Sequence, residues 1–325
     1  MSRWRIDPPV LALLAAAACT QGCGGSRDRA PTDGGGVEAP ASSADAAEGG
    51  ETGDATGGPG SDAGSGGDAD SAALDAATAS RCQITATKAT CPSQLTTLGG
   101  RPVAYETPLG VAPAGGWPAV VYFQGSLVPG TDAFAATSSA AFDQYDLTRT
   151  VAALLDDGYA VIAPDAAGNG STYWETNIPP YAESWSGCPD DVLMQALLAA
   201  IAAGSLGPLD PARLYAMGIS SGGFMTSRMA VSYPGQFRAL ADCSGSYATC
   251  SDTCTVPTPL PADHPPTLFL HGGLDTVVPL SAIQPYLDAL TTEGHEAQLV
   301  TDADAGHQWL PEGPQVIPAW FDSHP

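Results

Sequence analysis

Apolar residues in this chain fall into short runs separated by stretches of helical spacing. The run at 118–123 (Pro-Ala-Val-Val-Tyr-Phe) is nearly unbroken. A strand covered on both faces has that pattern, so it predicts a buried strand of a parallel sheet. Further strands are predicted at 159–163, 213–217, 237–241, 267–270 and 297–301, and an edge strand at 101–106. Helical spacing marks 147–156, 190–203, 224–233, about 280–292 and 315–322. Strands alternating with helices imply an α/β architecture, a mainly parallel sheet with right-handed crossovers and helices on its faces.

The first 80 residues read differently. Arg3 and Arg5 precede a nine-residue apolar core at 10–18, too short to span a bilayer. Residues 1–23 therefore read as an export signal. Small residues before Cys19 resemble a lipoprotein signal, which would leave Cys19 as a lipid anchor; signal-peptidase cleavage after an alanine is the alternative. Residues 24–80 are rich in Gly, Ala, Asp and Ser and hold no aromatic residue. Such a stretch buries too little apolar surface to offset chain entropy, so a disordered acidic linker is expected. The folded domain is expected at 81–325, long enough for one sizeable core.

Charge narrows the partners. The net charge is −24, with eleven of the 35 acidic residues in 24–80, and Lys88 is the sole lysine. No basic patch exists, so nucleic acid is excluded as a partner. An acidic surface also repels anionic polymers and favours a neutral substrate. Six cysteines lie beyond the export segment: Cys82, Cys91, Cys188, Cys243, Cys250 and Cys254. They lack metal-ligand spacing, and in an exported chain they predict up to three disulfides of unassigned pairing. No metal or cofactor is expected, and the chain is expected to be a monomer in an exported, secreted or envelope-anchored setting.

The chemistry centres on Gly218-Ile219-Ser220-Ser221-Gly222. This Gly-x-Ser-x-Gly joins a predicted strand to a predicted helix, the setting of a nucleophile elbow. Ser220 is the candidate nucleophile, and the Ser221 N–H a candidate oxyanion donor. Asp275 follows the strand at 267–270, and His307 follows the last strand within Gly306-His307-Gln308-Trp309. The order Ser, Asp, His is that of α/β-hydrolases. Asp242, Asp302 and Asp304 compete for the acid position, but no comparable strand–loop frame surrounds them. His307 would take the serine proton and later return it to the leaving alcohol; Asp275 would hold the imidazole tautomer. The second oxyanion donor is expected from the loop after 118–123, with the Ser126 N–H as candidate and Gln124 bracing the loop. Tyr173, Trp174, Tyr181 and Trp185 cluster in a long loop, with Asn169 in its first part. Gln124, Tyr173, Trp174 and Trp185 are candidates for binding substrate; the aromatic residues would line an apolar cleft, or else they pack the loop onto the domain. Asp190 and Asp191 precede a helix and read as caps.

The elbow block from Gly218 to Ala230 resembles that of the extracellular medium-chain-length polyhydroxyalkanoate depolymerases. So do Val121-Tyr122-Phe123-Gln124-Gly125-Ser126, Gly170-Ser171-Thr172-Tyr173-Trp174 and Ser244-Gly245-Ser246-Tyr247-Ala248-Thr249-Cys250. The resemblance covers roughly 100–325. It implies an α/β-hydrolase serine esterase cutting neutral aliphatic polyesters or their oligomers, with Ser220, Asp275 and His307 as triad. With 18 residues after His307, no separate polymer-binding domain is expected. An acetyl or feruloyl esterase acting on plant polysaccharide side chains is the alternative. A prolyl-oligopeptidase-type peptidase lacks its propeller-sized domain here, and a binding protein with a vestigial site would not need a full triad.

Overall fold

The computed structural model describes residues 80–166, 173–250 and 255–325. The expected export signal, the Cys19 anchor, the 24–80 linker, Asn169 and Cys254 lie outside them. Among the described residues eleven strands occur in chain order: β1 (Gln83–Ile84), β2 (Lys88–Thr90), β3 (Gln94–Leu98), β4 (Arg101–Glu106), β5 (Trp117–Phe123), β6 (Ala135–Thr137), β7 (Ala160–Pro164), β8 (Leu209–Ile219), β9 (Phe237–Cys243), β10 (Thr267–Gly272) and β11 (Ala297–Asp302). Among the described residues five α-helices accompany them: α1 (Gln144–Asp156), α2 (Pro189–Ala202), α3 (Ser221–Ser232), α4 (Gln284–Glu293) and α5 (Gly313–Asp322).

The main sheet has eight strands in the order β11-β10-β9-β8-β5-β7-β4-β3. Six of them, from β11 to β7, run parallel. β4 and β3 run antiparallel at one end. The expected edge strand, β4, is therefore one position in from the edge. Its outer neighbour β3 (Gln-Leu-Thr-Thr-Leu) is mostly exposed, so it lacks the apolar run that marks a strand in sequence. Gly99 and Gly100, at φ 56° and 79°, turn the chain between the two. That left-handed backbone is open to glycine at little steric cost.

Successive side chains of β5 point to opposite faces, and both faces are covered. Val120 and Tyr122 pack with Leu147, Val151 and Leu154 of α1 and with Ile317 and Phe321 of α5. Ala119, Val121 and Phe123 pack with Leu193 and Leu197 of α2 and Met225 and Met229 of α3. α4 joins the second face farther along, through Tyr286 and Leu290 against Phe269 of β10. Burial on both faces is what made the central strands conspicuous as apolar runs.

β1, β2 and β6 form a small separate antiparallel sheet. Cys82 and Cys91 bracket its first hairpin and are joined by a disulfide. Cys250 is also disulfide-bonded. Cys188 and Cys243 are buried free thiols, which corrects the upper expectation of three bridges. They belong to the cores on opposite faces of the sheet, so the sheet itself stands between them.

Candidate active site

β8 ends at Ile219, and α3 begins at Ser221. Ser220 is the whole of the turn between them, with φ 57° and ψ −123°. A serine tolerates that region only when its surroundings over-determine it. The Ser220 N–H donates to the Cys243 carbonyl at the end of β9 (3.0 Å), and its own carbonyl accepts the Gly223 and Phe224 N–H groups. The flanking glycines are required sterically. A Cβ on Gly222 would stand 2.0 Å from the Phe123 carbonyl oxygen, and one on Gly218 2.2 Å from the Gly222 carbonyl oxygen. Both contacts are with rigid backbone, so neither could relax.

Asp275 lies in the loop after β10, and His307 in the loop after β11. The His307 Nδ1 and the Asp275 Oδ2 are 2.8 Å apart. The other oxygen, Oδ1, accepts the N–H groups of Val277 and Val278, both at 2.9 Å. Burial by itself would raise the Asp275 pKa. The hydrogen bond from His307, its charge and the Val278 and Val277 N–H groups outweigh burial and hold the carboxyl below its ordinary value. His271 sits beneath, with its Nε2 2.7 Å from the Val278 carbonyl oxygen, and so braces the loop that carries Asp275.

Of the competing aspartates, neither Asp302 nor Asp242 takes the place of Asp275 beside His307. Asp302 accepts the Asp304 N–H within its own turn. Asp242 is wholly buried behind the elbow, beside Gly223 and Gly245. Burial drives its pKa well above the usual carboxylate value; the Gly245 N–H points at the carboxyl without closing a hydrogen bond of ordinary geometry. An unfolded aspartate ionises near pH 4. Above that pH, folding must retain a proton that the unfolded chain has released, so Asp242 costs stability as pH rises towards its folded pKa. Asp242→Asn removes the linked proton. Its melting temperature should exceed that of the unmodified protein by more at pH 8 than at pH 5, as thermal melts at the two pH values would reveal. Parallel pH dependence of the two proteins would refute it.

Ser220 and His307 line one cavity, open to solvent, together with Gly125, Ser126, Tyr122, Val128, Phe142, Gln144, Leu147, Ile219 and Trp309. Among the described residues, no Asp, Glu, Lys or Arg lines it. The hydroxyls of Ser126 and Ser221 are 3.2 Å apart, which ties the loop after β5 to the first residue of α3. The N–H groups in the first turn of a helix have no partner within it, so Ser221 stands where a free donor is available.

The aromatic loop departs from the cleft-lining expectation. Trp174 is fully buried, with its indole N–H on the Gln124 carbonyl (3.0 Å) and its ring edge-on to Phe123. Trp185 donates to the Tyr233 hydroxyl (3.1 Å), and the Arg228 guanidinium lies over its ring. Tyr173 is half-buried and, like Gln124, Trp174 and Trp185, does not line the cavity. Each indole has a buried polar partner on the α2–α3 face, and those partners hold the rings inward. Gln124 is buried and supports the loop through its carbonyl. Asp190 pairs with Arg101, and Asp191 accepts the Gly187 N–H, while the Cys188 thiol caps α2.

The apolar wall comes from the other face of the sheet. Tyr122, Leu147 and Trp309 are buried core residues that also line the cavity. Phe142 comes from the turn before α1. Sequence reasoning missed all four: Tyr122 and Leu147 read only as parts of a buried strand and a helix, Trp309 only as a neighbour of His307, and Phe142 lies in no periodic pattern. Among the described residues, no group of side chains is placed to hold a metal ion.

Residues 145–258 match the model of the prolyl oligopeptidase family. The poly(3-hydroxyoctanoate) depolymerase of Pseudomonas fluorescens is 51% identical over 229 residues, covering 70% of this chain and 81% of the relative. Among solved structures, the acylaminoacyl peptidase of Pyrococcus horikoshii superposes with a TM-score of 0.51 over 72% of this chain and 41% of its own, at 13% identity. That likeness concerns the fold alone.

Proposed function

Because the chain belongs to the medium-chain-length polyhydroxyalkanoate depolymerase family and is a serine hydrolase of carboxylic esters, we propose that its substrate is an aliphatic hydroxyalkanoate polyester or oligomer. The observation that carries this reading is the cavity beside Ser220: apolar walls, an imidazole and, among the described residues, no carboxylate or cation to select a charged substrate. In this reading 81–325 is the catalytic domain, exported by the 1–23 segment, with 24–80 as a tether.

Ser220 attacks the ester carbonyl as His307 takes its proton. The Ser221 and Ser126 N–H groups stabilise the oxyanion, each worth roughly 3 kcal/mol in comparable sites. Collapse of the tetrahedral intermediate expels the alcohol, which takes the proton from His307, and leaves an acyl-enzyme on Ser220. Water, deprotonated by His307, then attacks that acyl group and regenerates the serine. The Ser126–Ser221 hydroxyl contact supports the pairing of the two donors.

A substrate panel tests the reading. The protein should clear emulsions of poly(3-hydroxyoctanoate) faster than poly(3-hydroxybutyrate). Acetylated xylan, methyl ferulate and peptide anilides should release little product. Release from acetylated xylan or ferulate with intact polyester would transfer the reading to a polysaccharide side-chain esterase.

A further inference from the structure

Phe142 and Asp143 are consecutive residues in left-handed backbone, at φ 59°, ψ 24° and φ 50°, ψ 43°. An aromatic residue is rarely found there, and strain of this kind persists only where neighbouring contacts impose it. Three contacts do so, all from the loop that carries His307. The Trp309 N–H donates to the Phe142 carbonyl (2.9 Å). The Gln308 side-chain amide donates to the Asp143 carboxylate. The Phe142 ring meets the His307 imidazole edge-on, with centroids 6.0 Å apart. The strained turn thus projects one apolar ring to a place that is at once the cavity wall and the flank of the imidazole.

The other large apolar groups of the wall are fixed by the core. Leu147 packs in α1, Tyr122 in β5, and Trp309 is held through its indole N–H by Thr150 (3.0 Å). Their positions follow from the fold. Phe142 stands on a turn instead, where ring size can change without disturbing the sheet. We propose that Phe142 determines which acyl chain the enzyme accepts: its ring closes the cavity beside His307 and limits how long an alkyl group can lie against Leu147 and Trp309. The inference rests on the reading of Ser220 and His307 as the reacting pair.

Hydrolysis of p-nitrophenyl esters from acetate to dodecanoate tests it. Phe142→Ala should enlarge the cavity at its wall. The ratio of kcat/KM for dodecanoate to that for butyrate should rise about tenfold, the scale on which hydrophobic pockets discriminate small changes in length. Most of the change should appear in KM. Phe142→Leu should give a smaller rise in the same direction, and it carries the test should the alanine variant fail to fold by circular dichroism. A uniform fall in kcat across all chain lengths would overturn the proposal, since the ring would then serve only to position His307. An unchanged profile in a folded variant would overturn it equally. Ser220→Ala, assayed beside them, separates the two readings: if it retains activity, the reacting pair is misassigned.

Discussion

Ser220→Ala should lower kcat/KM on medium-chain esters by about 10⁴-fold or more, with an unchanged fold. Loss of a triad nucleophile leaves only the residual rate that the oxyanion donors and substrate binding provide. The magnitude follows from the turn. Ser220 is the single residue between β8 and α3, so no neighbouring hydroxyl can take its place without moving the helix. Ser221 is the nearest alternative, but its hydroxyl already meets that of Ser126. A companion substitution separates chemistry from stability. At φ 57°, ψ −123°, serine and alanine carry the same strain, whereas glycine does not. Relief of about 1–2 kcal/mol is available there, reduced by the greater entropy of glycine in the unfolded chain. Ser220→Gly should therefore be as inactive as Ser220→Ala yet melt at a higher temperature. A glycine variant that melts below the alanine variant would show that the elbow is not a strained element. Retention of more than about one-tenth of the activity by both would remove Ser220 from the mechanism.

The parts of this fold that were legible in sequence are those in which one residue type answers one physical need. β5, β8 from Leu214 onward and the centre of β10 are covered on both faces, so those stretches had to be mainly apolar. The elbow needs glycine at 218 and 222 because carbonyl groups occupy the space of a Cβ. Asp275 and His307 could be assigned to strand ends because the strands before them were unmistakable. Other features depend on direction in space, which sequence does not record. Trp174 and Trp185 have the composition of a substrate cleft, yet the Gln124 carbonyl and the Tyr233 hydroxyl turn them inward. Cys188 and Cys243 could have paired by count, but the sheet divides them. β3 escaped notice because its side chains are largely exposed, and the hairpin with β4 supplies what its composition lacks. Phe142 gave no signal because left-handed backbone at a phenylalanine is imposed from 165 residues away, as by Gln308 on Asp143.

Asp275→Asn should lower kcat by about 10⁴-fold with little change in KM. The expectation rests on how each oxygen of the carboxylate is held. Oδ1 accepts two N–H groups, from Val277 and Val278. An asparagine must keep its carbonyl oxygen on that side, because its NH₂ group there would face two donors. The NH₂ group is thereby forced towards His307, where Oδ2 now receives the imidazole. Facing a donor, Nδ1 must become an acceptor, and the proton moves to Nε2. That is the wrong tautomer for taking a proton from Ser220, although every backbone position is preserved. The substitution also changes stability with a defined sign. Because the Asp275 pKa lies below its unfolded value, its stabilisation is present above the ordinary carboxylate range and is lost as pH falls through the lowered value. The asparagine variant should thus be less stable than the unmodified protein at pH 7 and converge with it in strong acid. Asp302→Asn provides the comparison: Asp302 only caps its own turn, so its rate should stay within about twofold. If Asp302→Asn were the damaging change and Asp275→Asn the mild one, the acid of the triad would have to be moved to the end of β11.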